Sequence, residues 1–351
     1  MGYIKMCGMW VTPELWLKLE NCAPLRELIS NNTGFEKLRM FGEKVFSKAV
    51  VNTVVFLFHR GIDVQSLKIE TEGDSWELPS ASWKTSKLLT IDYRLKTGIN
   101  DLIDKIRIES VPLSNFGDII QGITPYDRYR GQDSEIINSR AYHSKNKENE
   151  TYGKWLFGKD ISRYWQTWSG EWLSYGPWLA APREERFFID PRLLFREVPG
   201  VDKRIQATIV TERFYHGHSI TPFKSREDNS LSLVYLLGLC NSKLLSWYGS
   251  LILPNFGKDT FPKLNPNDIK LLPIRTINFL DQDEKAQHDK LVALVDNMLE
   301  LQRKYHEARM ERDKELYERQ IQIVDKQIDK LVYELYGLND DEIKVIEGME
   351  R

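Results

Sequence analysis

Cysteine is scarce. Cys7, Cys22 and Cys240 are the only three in 351 residues, too few and too scattered for a disulfide framework. No CxxC or Cys/His spacing accompanies them, which argues against a zinc site and for reduced thiols in a cytoplasmic protein. Long apolar runs are also missing, so no membrane span is expected. Met1-Gly2-Tyr3-Ile4-Lys5 lacks the apolar core of a secretory signal. Charge of one sign is missing too: 49 Lys+Arg against 51 Asp+Glu leave a net charge of −2. A nucleic-acid partner would therefore have to be met by local patches, not by the field of the whole chain. There is no nucleophile elbow, P-loop or Rossmann fingerprint. Asp268-Ile269-Lys270 and Glu342-Ile343-Lys344 fit the short half of a divalent-metal nuclease motif, but neither has a preceding acid in strand context. No metal site is expected.

Tryptophan, by contrast, is concentrated. Five of the ten (Trp155, Trp165, Trp168, Trp172 and Trp178) fall in one short stretch. Such a cluster is more often core than stacking platform; only Trp168 and Trp172, near Gly170, are read as exposed rings.

Near the start, Thr12-Pro13-Glu14 reads as an N-cap with proline at the first helical position, opening a helix through Leu19. Leu25–Ile29 reads as a second helix. Ala49–Phe58 is β-branched and aromatic almost throughout, the pattern of a strand buried on both faces of an α/β sheet. A lone strand with two helices is not a domain, so the segment looks like the last part of one. Ser80–Asp92 reads as an exposed connection. Apolar residues at Leu102, Ile103, Ile106 and Ile108 predict a helix that Val111-Pro112 ends.

Ser114–Gly131 changes the character of the chain. Asp118-Ile119-Ile120 is a short strand, Gly122 a turn, and Tyr126, Arg128, Tyr129 and Arg130 interleave rings and cations in a loop. Such a loop suits a nucleic-acid groove; ordinary tyrosine packing accounts for it equally well. Between Arg183 and Arg226 nine basic residues face six acidic ones. Arginine is suited to guanine readout and phosphate clamping, although a solvated charged face would hold many of the same residues. His216-Gly217-His218 lacks further ligands nearby and reads as loop.

After Asp281 the pattern becomes helical. Leu291, Leu294, Met298, Leu301, Tyr305 and Ala308 form one heptad seam, and Tyr317, Ile321, Val324, Ile328, Leu331 and Leu335 another. The two are out of register. Either one long helix carries a stutter or the chain turns back as a hairpin. Gly337 closes the arm as a C-cap.

These stretches resemble a known family. The N-terminal pattern from Trp10 to Leu57 is similar to the part of adenine-N6 DNA methyltransferases, of the type IIG restriction–modification kind, that follows the catalytic Asn-Pro-Pro-Tyr loop. No such tetrapeptide and no glycine-rich S-adenosylmethionine cradle occur in this chain. Leu113–Ile123, Lys154–Tyr164, Pro191–Glu197, Leu236–Leu245 and Phe261–Ile274 resemble, in order, the entry, core and exit of a TaqI-like target recognition domain. Tyr336–Ile343 resembles a common ending of these methyltransferases.

The resemblance implies an α+β chain: a partial α/β methyltransferase tail at 1–90, a linker helix at 91–112, a mixed α/β target recognition domain at 113–275, and long coiled-coil-like C-terminal helices at 276–351. It implies sequence-specific recognition of double-stranded DNA. The expected DNA contacts are Tyr126, Arg128, Arg130, Lys154, Lys159, Arg163, Arg183, Arg186, Arg196, His218, Lys224 and Arg226. No catalytic residue and no cofactor are expected in this chain, S-adenosylmethionine belonging to the intact enzyme. The alternative is a non-catalytic subunit that docks a separate methyltransferase, or a second copy, through residues 283–336.

Overall fold

A computed structural model describes residues 7–42, 45–46, 51–60, 64–84, 89–93, 98–253, 255–258 and 261–348. The chain forms two compact units, Met1–Asp104 and Lys105–Arg351. It is a mixed α+β protein with several small sheets and long C-terminal helices. Among the described residues no helix is long and apolar enough to cross a membrane.

The first unit holds β1 (Cys7–Pro13), α1 (Ala23–Asn32), β2 (Thr33–Phe41), β3 (Thr53–Arg60), β4 (Ser66–Glu70), β5 (Ser75–Pro79) and a single turn, α2 (Ala81–Lys84). The sheet order is β1-β3-β2-β4-β5. β3 is antiparallel to both neighbours, while β2 and β4 are parallel. The expected lone strand is thus the second of five, and its first residues, Ala49 and Val50, lie outside the described ones. Trp16, Phe35, Phe56 and Trp83 pack ring against ring at 5.1 to 6.1 Å in its core.

Two expectations fail in this unit. Thr12-Pro13 does not cap a helix: both end β1, paired with Val54 and Thr53, and only a 3₁₀ turn, Glu14–Leu17, follows. Proline costs nothing at the end of an edge strand, where its missing N–H has no ladder partner to lose. Ser80–Asp92 is not simply an exposed connection either, since Ser80, Trp83 and Ile91 are buried; residues 85–88 lie outside the described ones.

The second unit begins within α3 (Ile99–Ile108). β6 (Ser110–Pro112) pairs antiparallel with β17 (Pro273–Arg275), and Leu113 N–H donates to the Leu272 carbonyl at 2.9 Å, so the start and end of the segment between them are zipped together. That segment carries two four-stranded sheets. The first contains β8 (His143–Ser144), β9 (Tyr152–Leu156), β12 (Glu171–Ser174) and β15 (Tyr215–His216), in the order β15-β9-β12-β8. The second contains β7 (Gly117–Ile119), β13 (Arg192–Arg196), β14 (Ala207–Val210) and β16 (Ile220–Ser225), in the order β14-β13-β16-β7. A small hairpin, β10 (Ile161–Ser162) with β11 (Trp165–Gln166), sits beside β13 and β14. The remaining short helices are α4 (Ser134–Ser139), α5 (Leu233–Cys240), α6 (Lys243–Ile252) and α7 (Pro266–Lys270).

The stretch read as one element, Leu236–Leu245, is two. The chain breaks at Asn241, whose buried amide accepts from Ala207 N–H at 3.0 Å and donates to the Ala207 carbonyl at 2.9 Å. Ser242 then N-caps α6 through the Leu245 N–H at 3.2 Å.

The C-terminal arm is a hairpin of α8 (Gln282–Glu307) and α9 (Glu311–Leu335), followed by α10 (Asp340–Gly348). Ala308 and Met310 adopt extended backbone with ψ of 129° and 134°, which makes the bend without glycine or proline. Leu291, Val295, Met298 and Leu301 on α8, and Val324, Ile328, Leu331 and Leu335 on α9, are buried. Gly337 follows α9 with φ 62°. α5 packs on α8 at Gly238, where a Cβ would come within 2.7 Å of Val295 Cγ2.

Candidate nucleic-acid interface

Three loops of the second unit meet edge to edge. Ile123 N–H donates to the His216 carbonyl at 2.9 Å, and Thr124 and Ala181 exchange backbone hydrogen bonds at 3.0 and 2.8 Å. Gly122 is required here by proximity, not by a turn conformation. A Cβ on it would sit 2.1 Å from the Gly217 carbonyl oxygen. His218 Nε2 lies 2.6 Å from Thr124 Oγ1. Burial, followed by the charge of Arg183, holds the His218 imidazole below its ordinary pKa. Apolar residues beneath the junction, among them Ile123, Trp155, Leu173, Phe187 and Tyr215, form one core cluster.

The loop after Gly122 is anchored to the same frame. Asp127 accepts the Tyr129 N–H at 2.9 Å and caps a 3₁₀ turn, Arg128–Arg130. Arg130 Nη1 donates to the Ala180 carbonyl at 2.9 Å, and Gln132 Nε2 donates to the Pro125 and Trp178 carbonyls at 3.1 Å. What this turn presents outward is Tyr129, 83% exposed, with the Arg128 guanidinium 4.7 Å from its ring centre.

Tyr126 faces the other way. Its ring stacks on Tyr142 at 5.3 Å, and its hydroxyl accepts from Tyr142 N–H at 2.9 Å and lies 2.8 Å from His143 Nδ1. Burial pushes its phenol up to about 12. Tyr126 therefore fastens the loop, and Tyr129 is the ring it offers. Spacing did not separate the two tyrosines; the Asp127 cap that directs Tyr129 outward was the readable signal.

The cations sort by partner. Arg163 turns inward, with both terminal nitrogens on the Asp325 carboxylate of α9. Arg204 joins it, bonding Asp325 and Asp329 at 3.0 Å each. Lys154 pairs with Glu212 at 2.9 Å, and Lys224 with Asp190 at 3.4 Å. Arg186 pairs with Glu184 at 2.8 Å and Asp118 at 3.0 Å, and Arg226 reaches Asp118 at 3.6 Å. These charges are already neutralised within the chain. Arg128, Lys159, Arg183 and Arg196 have no carboxylate partner among the described residues, and Arg130 only a long one, Asp127 at 3.9 Å. Of these, Arg128, Arg130 and Arg183 lie on the three-loop junction together with His218.

The tryptophans also differ from expectation. Trp168 and Trp172 are half-buried and pack edge to face at 5.0 Å, with Trp168 Nε1 on the Glu171 carbonyl. Trp165 stacks on His306 of α8 at 4.5 Å. Of the five clustered tryptophans the most exposed is Trp178, at 40%, whose carbonyl accepts from Gln132. Among the described residues no group of three or more His, Cys, Asp or Glu side chains is placed to hold a metal ion.

Residues 153–274 match the TaqI-like C-terminal specificity domain family. No curated protein matches the sequence. Among solved structures, the type IIL restriction–modification enzyme MmeI in complex with DNA is 13% identical, with a TM-score of 0.59 over 98% of this chain and 49% of that one. The type IIG restriction endonuclease BpuSI is 11% identical, with a TM-score of 0.40 over 94% of this chain and 47% of that one. This chain thus spans about half the length of each. Five landmark phrases in the expected order, the zipped entry and exit strands and the family match coincide: the chain carries a TaqI-like C-terminal specificity domain.

Proposed function

We propose that this chain is the DNA-reading part of a restriction–modification enzyme whose methyltransferase modifies adenine at N6. The observation that carries the reading is the specificity-domain match over residues 153–274, with cations left unneutralised on that domain and on the adjoining 125–131 loop. An arginine already held by a carboxylate releases few counterions from DNA, whereas an unpaired one releases about one. Arg128, Lys159, Arg183 and Arg196 are therefore the expected phosphate and base contacts. Lys154, Arg163, Arg186, Lys224 and Arg226, each paired with a carboxylate, are not expected to contact DNA.

In the intact enzyme an adenine would leave the duplex to be methylated, with S-adenosylmethionine supplying the methyl group. In the first unit a cavity of about 520 Å³ is lined by Gly8, Leu28, Ile29, Asn32, Thr33, Phe58 and Arg60, with no carboxylate to accept from ribose hydroxyls. The chain by itself is expected to bind DNA without methylating it.

Two measurements test the reading. Binding to a short duplex, followed from 50 to 200 mM salt, should weaken with a log–log slope of about −3, roughly 0.9 for each of three or four phosphate contacts. No salt-dependent binding at micromolar protein would sink it. Methyl transfer by this chain alone would sink the second half. A docking role for the hairpin draws support from Met310 at its bend and Leu316 and Ile323 along α9, apolar yet exposed. Polar substitution of all three should abolish self-association or capture of a methyltransferase if that role is real, and leave DNA binding unchanged.

A further inference from the structure

An open groove of about 860 Å³ runs beside the three-loop junction, and Gln121, Arg183, Asn267 and Lys270 lie along it. The side chains of Gln121, Asn267 and Lys270 have no hydrogen-bond or ion-pair partner among the described residues. Arg183 is held at both its backbone and its guanidinium. Its backbone is left-handed, φ 66°, a conformation rarely adopted by a residue with a side chain. The Tyr175 hydroxyl donates to its carbonyl at 2.7 Å, and its own Nε–H donates to the Gly122 carbonyl at 3.4 Å. The stem is thus tied at both ends, while the two Nη groups have no acceptor among the described residues. A fork of N–H donors held this way matches the O6/N7 acceptor pair that guanine shows in the major groove.

Resting on the DNA-recognition reading above, we propose that Arg183 reads a guanine base edge, with the amide of Gln121 facing a neighbouring base. Arg186 supplies the contrast. It lies three residues on and equally at the surface, but it is fixed by Glu184 and Asp118 and lies 4.3 Å from the Phe187 ring centre.

The test is selection of preferred duplexes from a randomised pool by the 351-residue chain, repeated with R183G, R183K and R186A. Glycine takes φ 66° without strain, so R183G should keep its fold, which a thermal melt would verify. R183G should lose ~10- to 100-fold on the wild-type duplex, lose preference at a single G·C position, and hold unrelated DNA within about twofold. R183K should weaken the preference at that position, since a flexible ammonium lacks both the planar fork and the Nε–H that fixes it to the Gly122 carbonyl. R186A should retain the full preference. A uniform loss on all sequences would make Arg183 a phosphate contact and overturn the proposal, as would an unchanged preference. A wild-type chain that binds DNA but selects no sequence, or binds none, would overturn the recognition reading and this inference together.

Discussion

Arg163 and Arg204 face inward, and what they meet is a pair of carboxylates one helical turn apart on α9. Asp329 is buried, and burial raises its carboxyl pKa. At Asp325 burial pushes the same way, but the Arg163 hydrogen bond and the charges of Arg163, Arg204 and Lys243 prevail, and the carboxyl falls below its usual range. Arg204 also donates to the Asn241 carbonyl at 2.7 Å, and Asp329 accepts Lys243 N–H at 2.8 Å. The four charges lock the hairpin to the recognition segment. Replacing one partner leaves another buried and uncompensated, so Asp329→Ala should cost ~3–5 kcal/mol in urea unfolding. An exposed pair such as Lys147–Glu150 should cost under about 1 kcal/mol when broken. A partner 162 positions away in the chain cannot be read from composition, which is why Arg163 looked like a surface cation.

The heptads predicted both long helices, because their spacing reports which face is buried wherever the partner lies. They left the bend open, since Ala308 and Met310 carry no local signal for extended backbone. The turn is imposed by packing of α9 on α8 and by the Arg163–Asp325 clamp. Conversely, Thr12-Pro13-Glu14 carries a strong helix-start signal that pairing with β3 overrides. The three-loop junction makes a prediction of its own. Gly122→Ala would force the 122–124 and 216–218 loops apart, given a 2.1 Å approach to backbone that cannot rotate away. It should lower stability by ~1–3 kcal/mol and weaken DNA binding more than Gly131→Ala does. Thermal melts with binding isotherms would check both; equal effects at the two glycines would contradict the account.

Across the whole chain, stability should depend on pH through histidines buried in neutral form. Burial, then Arg140, lowers His143 to about 4; burial, then Arg192, lowers His216 to about 3. Their ordinary value is about 6.5. Below it the unfolded chain takes up protons that the folded one refuses, so stability holds above about pH 7 and falls as pH drops toward 4. Each histidine contributes at most ~1.4 kcal/mol per pH unit. Urea midpoints at pH 7, 5.5 and 4.5 would measure the decline. His216→Leu should flatten it, since this buried ring beside Arg192 is one of the groups that refuses the proton in the folded chain. A steeper slope in that variant would refute the assignment.

The order of the landmark phrases and the periodicity of the arm were in the sequence, because both are carried by residues close together in the chain. So was the class of chemistry, arginines interleaved with aromatic rings. Which tyrosine of the 125–131 loop points outward was decided by Tyr142 and His143, and which arginines keep their charge by carboxylates far along the chain. A side chain's identity is local, but its electrostatic state belongs to whatever folds against it, and only the tertiary structure brings those groups within a few ångströms.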